Sequence, residues 1–125
     1  MIADTTFLVD YHNEQCVSKA GPASKFLHAH RARQLLTTVI SAGEFATGFD
    51  DLRHARIFLS RWRVLNLQPE VAFAAAQVDR ELMDAGGRLG ENDNWIAGFA
   101  RCFNQSLISN DKAFDHVRAL RRLRY

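Results

Sequence analysis

Apolar positions along the chain fall into two patterns: short continuous runs, and longer stretches spaced by three and four. Residues 2–9 form the first continuous run, rich in Thr, Val and Ile, and predict a buried strand. Residues 35–40 and 64–67 and the weaker pair Leu107 and Ile108 predict three more. Between these runs, Leu52, Ala55, Leu59 and Trp62 step at helical spacing, predicting a helix over 49–62. Val71, Ala75, Val78, Leu82 and Ala85 do the same, opened by Pro69 and stopped at Gly86-Gly87. A helix over 92–103 carries Trp95, Ile96, Phe99 and Phe103 on more than one face and should be largely buried, with both Trp62 and Trp95 in the core. After the break at Gly21-Pro22, residues 23–33 read as an amphipathic helix. Alternating strands and helices imply parallel pairing, so the expected fold is α/β, a three-layer sandwich whose central, mostly parallel sheet of four or five strands is flanked by helices.

Length and composition narrow this picture. With 125 residues, 47% of them apolar, residues 1–125 are expected to form a single domain with its own core. Cys16 and Cys102 lie in no C-x-x-C pair and beside no metal-spaced histidines, which argues against a disulfide framework or zinc site and fits a reducing cytoplasm. The opening MIADTTFLVD has no basic leader, and no apolar stretch reaches membrane length, so a cytoplasmic protein without a membrane partner is expected. Net charge is only +2, yet 13 of the 16 basic residues are arginine, and Arg118, Arg121, Arg122 and Arg124 crowd the C-terminus. Arginine suits phosphate through its planar fork of donors, so this charge permits RNA binding, although taken alone it is better explained by solvated surface arginines or by partners for the 14 acidic side chains. His12, His28, His30, His54 and His116 show no ligand-like spacing.

Four acids carry the candidate chemistry. Asp4 is bracketed by Ile2, Phe7 and Leu8, where an ionised carboxylate needs compensation from a ligand or from a turn at the strand end. Glu44 follows the second run within Ser41-Ala42-Gly43-Glu44, which also reads as a capping box. Asp93 in Asn92-Asp93-Asn94 and Asp111 in Ser109-Asn110-Asp111 each suit a helix cap as well. All four nevertheless fall where a strand meets a helix, and in open parallel sheets the carboxyl ends of the strands share the edge at which sites form. Gathered there, the acids would repel one another, a cost that a divalent cation removes. Oxygen donors without nitrogen or sulfur select hard ions such as Mg²⁺ or Mn²⁺.

The ordered motifs also carry a family resemblance. Asp4-Thr5-Thr6-Phe7-Leu8-Val9-Asp10, Ser41-Ala42-Gly43-Glu44-Phe45, Asn92-Asp93-Asn94-Trp95-Ile96-Ala97 and Ser109-Asn110-Asp111-Lys112-Ala113-Phe114 together resemble PIN domains, above all the VapC toxins of bacterial toxin–antitoxin pairs. The resemblance implies a metal-dependent endoribonuclease that inhibits translation. In it Asp4, Glu44, Asp93 and Asp111 act as the catalytic, metal-binding quartet, with Thr6 ordering the first carboxylate. It further implies Mg²⁺ or Mn²⁺ as cofactor and tRNA, rRNA or mRNA as substrate. The implied partners are a homodimer mate and a VapB-like antitoxin that inserts an arginine across the acidic crevice. Phe49, Phe58 and Trp62 in the 49–62 helix are the candidates for these protein contacts. Two departures stand out: Ala97-Gly98-Phe99-Ala100 replaces the common A-A-x-A, which bears on helix packing, and the last edge strand is expected to shrink to 123–125.

Alternatives of other kinds are an inactive RNA- or antitoxin-binding module and a housekeeping RNA-processing nuclease. A haloacid-dehalogenase-type phosphatase needs an acid where Thr6 stands, and a phospho-receiver needs an aspartate that residues 64–69 lack.

Overall fold

A computed structural model describes residues 1–125. Five strands, β1 (Ile2–Ala3), β2 (Leu36–Thr38), β3 (Arg63–Leu65), β4 (Leu107–Ile108) and β5 (Arg122–Leu123), form one sheet in the order β3-β2-β1-β4-β5. All four pairings are parallel. Helices α1 (Thr5–Cys16), α2 (Pro22–Ala29), α3 (Val39–Ala46), α4 (Leu52–Leu59), α5 (Pro69–Asp84) and α6 (Glu91–Cys102) connect them, with a 3-10 helix, Lys112–His116, after β4. None of the helices is long and apolar enough to cross a membrane.

Register explains how so short a sheet separates two cores. Ile2 lies opposite Leu36 and Leu107, and Ala3 lies opposite Thr37 and Ile108. Because strand side chains alternate, Ile2, Leu36 and Leu107 join Val71, Val78 and Leu82 of α5 and Ile96 and Phe99 of α6 in one core. Ala3 and Ile108 join Phe7 and Leu8 of α1, Leu27 of α2, Phe45 of α3 and Phe58 of α4 in the other. The three-layer α/β sandwich with a parallel sheet is therefore present, at the upper end of the expected strand count.

Several boundaries differ from expectation, each for a local reason. The run over 2–9 is not one strand. Asp4, extended at φ −76° and ψ 176°, accepts a hydrogen bond from the Phe7 amide and starts α1. Apolar continuity alone does not separate a strand from the first buried turn of a helix, and beyond Leu8 the apolar face of α1 gives way to His12, Asn13, Glu14 and Gln15. Thr38 likewise ends β2 inside the run over 35–40 by accepting from the Ser41 amide (2.9 Å). The third run shifts to Arg63–Leu65 and the last edge strand to Arg122–Leu123. The 23–33 helix shortens to Pro22–Ala29 and that over 49–62 to Leu52–Leu59, the latter capped by Asp51. Within α4, Phe58 faces inward, and Trp62, just beyond the helix, is buried as well, so neither is available as the protein contact expected; Leu52 and Ile57 are the exposed apolar residues there. Trp95 is half-buried and lines a surface cleft instead of the core.

The α5 helix runs as its periodicity predicts, with Pro69 in its first turn and Gly86 at φ 79° just beyond its end. This is the left-handed conformation that closes helices and favours glycine. Gly98 does different work. A Cβ built on it would lie 2.7 Å from the Ala75 Cβ and 2.9 Å from the Ala75 backbone, so the α5 and α6 axes approach as closely as they do only because position 98 has no side chain. Gly98→Ala should therefore destabilise the fold by about 1–3 kcal/mol, the usual cost of overpacking. Ala75→Gly in the same chain should restore part of the loss, because it removes the Cβ clash and leaves the backbone contact. Urea denaturation of the three variants checks this, and an unchanged midpoint for Gly98→Ala would contradict it.

Candidate active site at the strand edge

Parallel strands place their carboxyl ends on one edge, and β1, β2 and β4 each deliver polar residues there. Asp4 directly follows β1 and is only 5% exposed. Its Oδ1 accepts from the Phe7 amide at 2.7 Å, and the Ser109 hydroxyl after β4 is its side-chain hydrogen-bonding neighbour. Burial pushes the Asp4 carboxyl from the ordinary 3.8 up to about 6; these two hydrogen bonds oppose that rise, while repulsion from Asp93 and Asp10 adds to it. The turn at the strand end thus exists, but two hydrogen bonds do not compensate this charge fully.

Asp93 stands in the first turn of α6, half-buried. Its proton affinity is also raised, chiefly by burial and then by Asp111 and Glu44. The capping explanation does not apply to it: the N-cap of α6 is Gly90, and no side chain caps that end. Nor is Ser41 a capping-box residue, since Thr38 caps α3 and leaves Glu44 in the interior of the helix. Glu44 faces the acid edge and is held from two other elements, by the Thr5 hydroxyl of α1 and by Asn92 Nδ2 of α6 (2.6 Å). Asp111 does cap: its Oδ1 accepts from Ala113 N at 2.8 Å and starts the 3-10 helix, and its own amide donates to Ser109 Oγ. It is exposed, yet close enough to Asp93 to be felt there.

The structure therefore brings Asp4, Glu44, Asp93 and Asp111 to one edge, but no three His, Cys, Asp or Glu side chains close tightly enough to chelate an ion. Thr6 is not part of the group; it is exposed and makes no hydrogen bond to the acids, while its neighbour Thr5 does. Sequence reasoning also passed over Asn92, Ser109 and Asp10. Asp10 lies further along α1 and accepts from the Tyr125 hydroxyl at 2.6 Å, and burial, then that bond, raises the phenol above its ordinary value. A hint was present for Asn92 and Ser109, since each sits within two residues of an acid already singled out. Nothing local marks Tyr125 as a partner of Asp10, 115 residues away.

Beside the acids lies one well-anchored cation. Arg122 donates to both oxygens of Asp115 (2.6 Å each) and to the Ser109 carbonyl (3.1 Å), with its side chain only 7% exposed. It ties β5 to the end of β4 and to the 3-10 helix that Asp111 begins.

A parallel α/β sheet with carboxylates gathered at the ends of its central strands defines a PIN-like protein. The PIN domain model matches residues 1–120, and the chain belongs to that family. Over 65 residues it is 42% identical to ribonuclease VapC2 of Haemophilus influenzae, covering 51% of this chain and 49% of the relative. A ribonuclease VapC from another strain of that species matches equally. The match thus spans about half the length of these curated relatives. Among solved structures, VapBC2 from Rickettsia felis bound to a promoter DNA fragment superposes with a TM-score of 0.84 at 21% identity, over 98% of this chain and 96% of that one. DNA-bound VapBC from Salmonella typhimurium superposes with a TM-score of 0.83 at 19% identity, with the same coverage.

The raised pKa of Asp4 makes a prediction about stability. A folded-state value near 6 against an ordinary 3.8 means that the native state prefers the protonated acid. Stability is then lost as pH rises from about 4 through 6, and the penalty levels off above that. In chelator, Asp4→Asn should stabilise the protein at pH 7.5 by up to roughly 3 kcal/mol, the equivalent of about two pK units, and have little effect at pH 3.5. The asparagine oxygen still caps Phe7, so Asp4→Ala should gain less. Thermal melts across this range check both statements, and a pH-independent difference would contradict them.

Proposed function

We propose that the chain is a metal-dependent endoribonuclease that cleaves RNA phosphodiester bonds, the toxin of a VapBC-type toxin–antitoxin pair whose activity inhibits translation. The observation that carries this reading is a carboxylate, Asp4, buried at the end of the central strand in the field of a second one, Asp93. Fold economy alone would not keep two such acids together. Family membership and the ribonuclease names of the relatives support the reaction class.

The donor set fits a hard divalent cation. Asp4 and Asp93 would hold Mg²⁺ or Mn²⁺, with Glu44 and Asp111 beside them and Thr5 and Asn92 orienting Glu44. Mg²⁺ binds through one or two carboxylates and keeps several waters, so a site in which no three acids chelate suits it. When bound, the ion supplies Lewis-acid stabilisation of charge on the phosphate. Arg118, Arg121 and Arg124 are exposed and lie in no ion pair, leaving their guanidinium groups available to phosphate. tRNA, rRNA or mRNA is the substrate, and a VapB-like antitoxin and a second copy of the chain are the partners, in keeping with the VapBC complexes of the same fold.

A second reading, an inactive RNA- or antitoxin-binding module, draws on the fact that Glu44 and Asp111 already have partners. Incubation of the purified protein with total RNA separates the two. Cleavage is expected with Mn²⁺ and not with EDTA, and Asp4→Asn and Asp93→Asn should each lower the rate at least about 100-fold, the scale of losing one electrostatic stabiliser. Equal RNA loss in all arms would end the nuclease reading, and Mn²⁺ that leaves the wild-type melting temperature unmoved would end the metal assignment.

A further inference from the structure

On the side of α6 away from the acids, a cleft of about 530 Å³ opens between α5 and α6. Ala72, Ala75 and Ala76 form its apolar wall, and the half-buried indole of Trp95 lines it. Its polar groups are Asp79, Arg88, Glu91 and Asn94. Arg88 and Asp79 neutralise each other through two hydrogen bonds, at 3.2 and 3.1 Å. The one charged group of the cleft outside that pair is an acceptor, Glu91. Glu91 is exposed and in no ion pair, and Asn94 Oδ1 is buried with no partner while its Nδ2 donates to the Ala75 carbonyl (3.0 Å). Glu91 and Asn94 are three apart on α6 and so stand on the same side of the helix.

We infer that this cleft binds an unpaired guanine base of the RNA substrate, next to the site of cleavage. The inference rests on the nuclease reading for the identity of that substrate. Three features select a base. The volume lies within the range of roughly 300–1,000 Å³ typical of small-ligand pockets. An aromatic side chain beside small apolar ones suits a flat ring, and splayed single-stranded bases are commonly bound by stacking on aromatic residues. No free cation lines the cleft, which disfavours phosphate as the occupant. The free carboxylate of Glu91 then discriminates among the bases. Guanine presents two adjacent donors, N1–H and the N2 amino group, to a carboxylate, whereas adenine, cytosine and uracil each offer a donor flanked by an acceptor on that edge.

Position completes the argument. Asn92 and Asp93, which face the acid edge, share the first turn of α6 with Glu91, Asn94 and Trp95, which face the cleft. Cleft and acids are thus separated by about one helix diameter, some 10 Å, a span that a strand leaving the acids can bridge within a few nucleotides. A base held in the cleft would set which phosphate reaches Asp4 and Asp93.

The test uses the intact protein in EDTA, so that binding is read without cleavage, with 5′-GMP, AMP, CMP and UMP as probes and tryptophan fluorescence as the readout. GMP should quench saturably and bind roughly tenfold or more tighter than the other three, the discrimination that a two-point base contact supports. Glu91→Gln, at an exposed position, should abolish the preference, and Trp95→Phe should remove the signal, because Trp62 is buried in the opposite core. Equal quenching by all four nucleotides, or quenching that survives in Trp95→Phe, would overturn the inference. If GMP binds as expected while RNA stays intact in Mn²⁺, the base site stands and the nuclease reading falls. If RNA is cleaved without GMP binding, only the base site falls.

Discussion

Asp4 is the residue on which most of this structure turns. It ends the central strand, caps α1 through the Phe7 amide, shares a hydrogen bond with Ser109 beyond β4, and holds its carboxylate almost out of water. Each of these roles constrains a different part of the molecule. Capping turns the chain from β1 into α1 and places Phe7 and Leu8 in the core beneath the sheet. The link to Ser109 joins the ends of two neighbouring strands. The buried charge is the expense of the arrangement, and a fold selected for stability alone would not retain it.

Around that residue the other acids are held by different means. Glu44 is fixed by side chains from α1 and α6, so three elements meet at one carboxylate. Asp111 is fixed by the 3-10 helix it starts, and Arg122 binds that helix and the Ser109 carbonyl to the last strand. Asp93 has no such restraint and owes its raised proton affinity first to burial.

Helix α6 has two working sides. One carries Asn92 and Asp93 toward the acids; the other packs on α5 at the Gly98 and Ala75 contact and, nearer its start, opens into the cleft beside Trp95. Ala75 belongs to both regions, meeting Gly98 where the two helices pack and lining the cleft.

Much of this was legible in the sequence. Alternating continuous and three-four spaced apolar runs determined the α/β class, the parallel sheet and the long α5 helix, because side-chain periodicity is a local property. Four acids at strand-to-helix junctions pointed to one edge for the same reason: parallel strands share a direction. Strand ends were not legible, since Asp4 and Thr38 cut apolar runs short by capping, and a cap depends on hydrogen-bond geometry that composition does not reveal. Tertiary structure alone decided which excuse held for each acid. It left Asp111 as a cap, freed Glu44 and Asp93 from that role, and put Thr5 rather than Thr6 against the acids. It also turned Phe58 inward and Trp95 partly outward and brought Tyr125 to Asp10. Those outcomes depend on how helices rotate and seat against the sheet, and that is set by contacts between residues far apart in the chain.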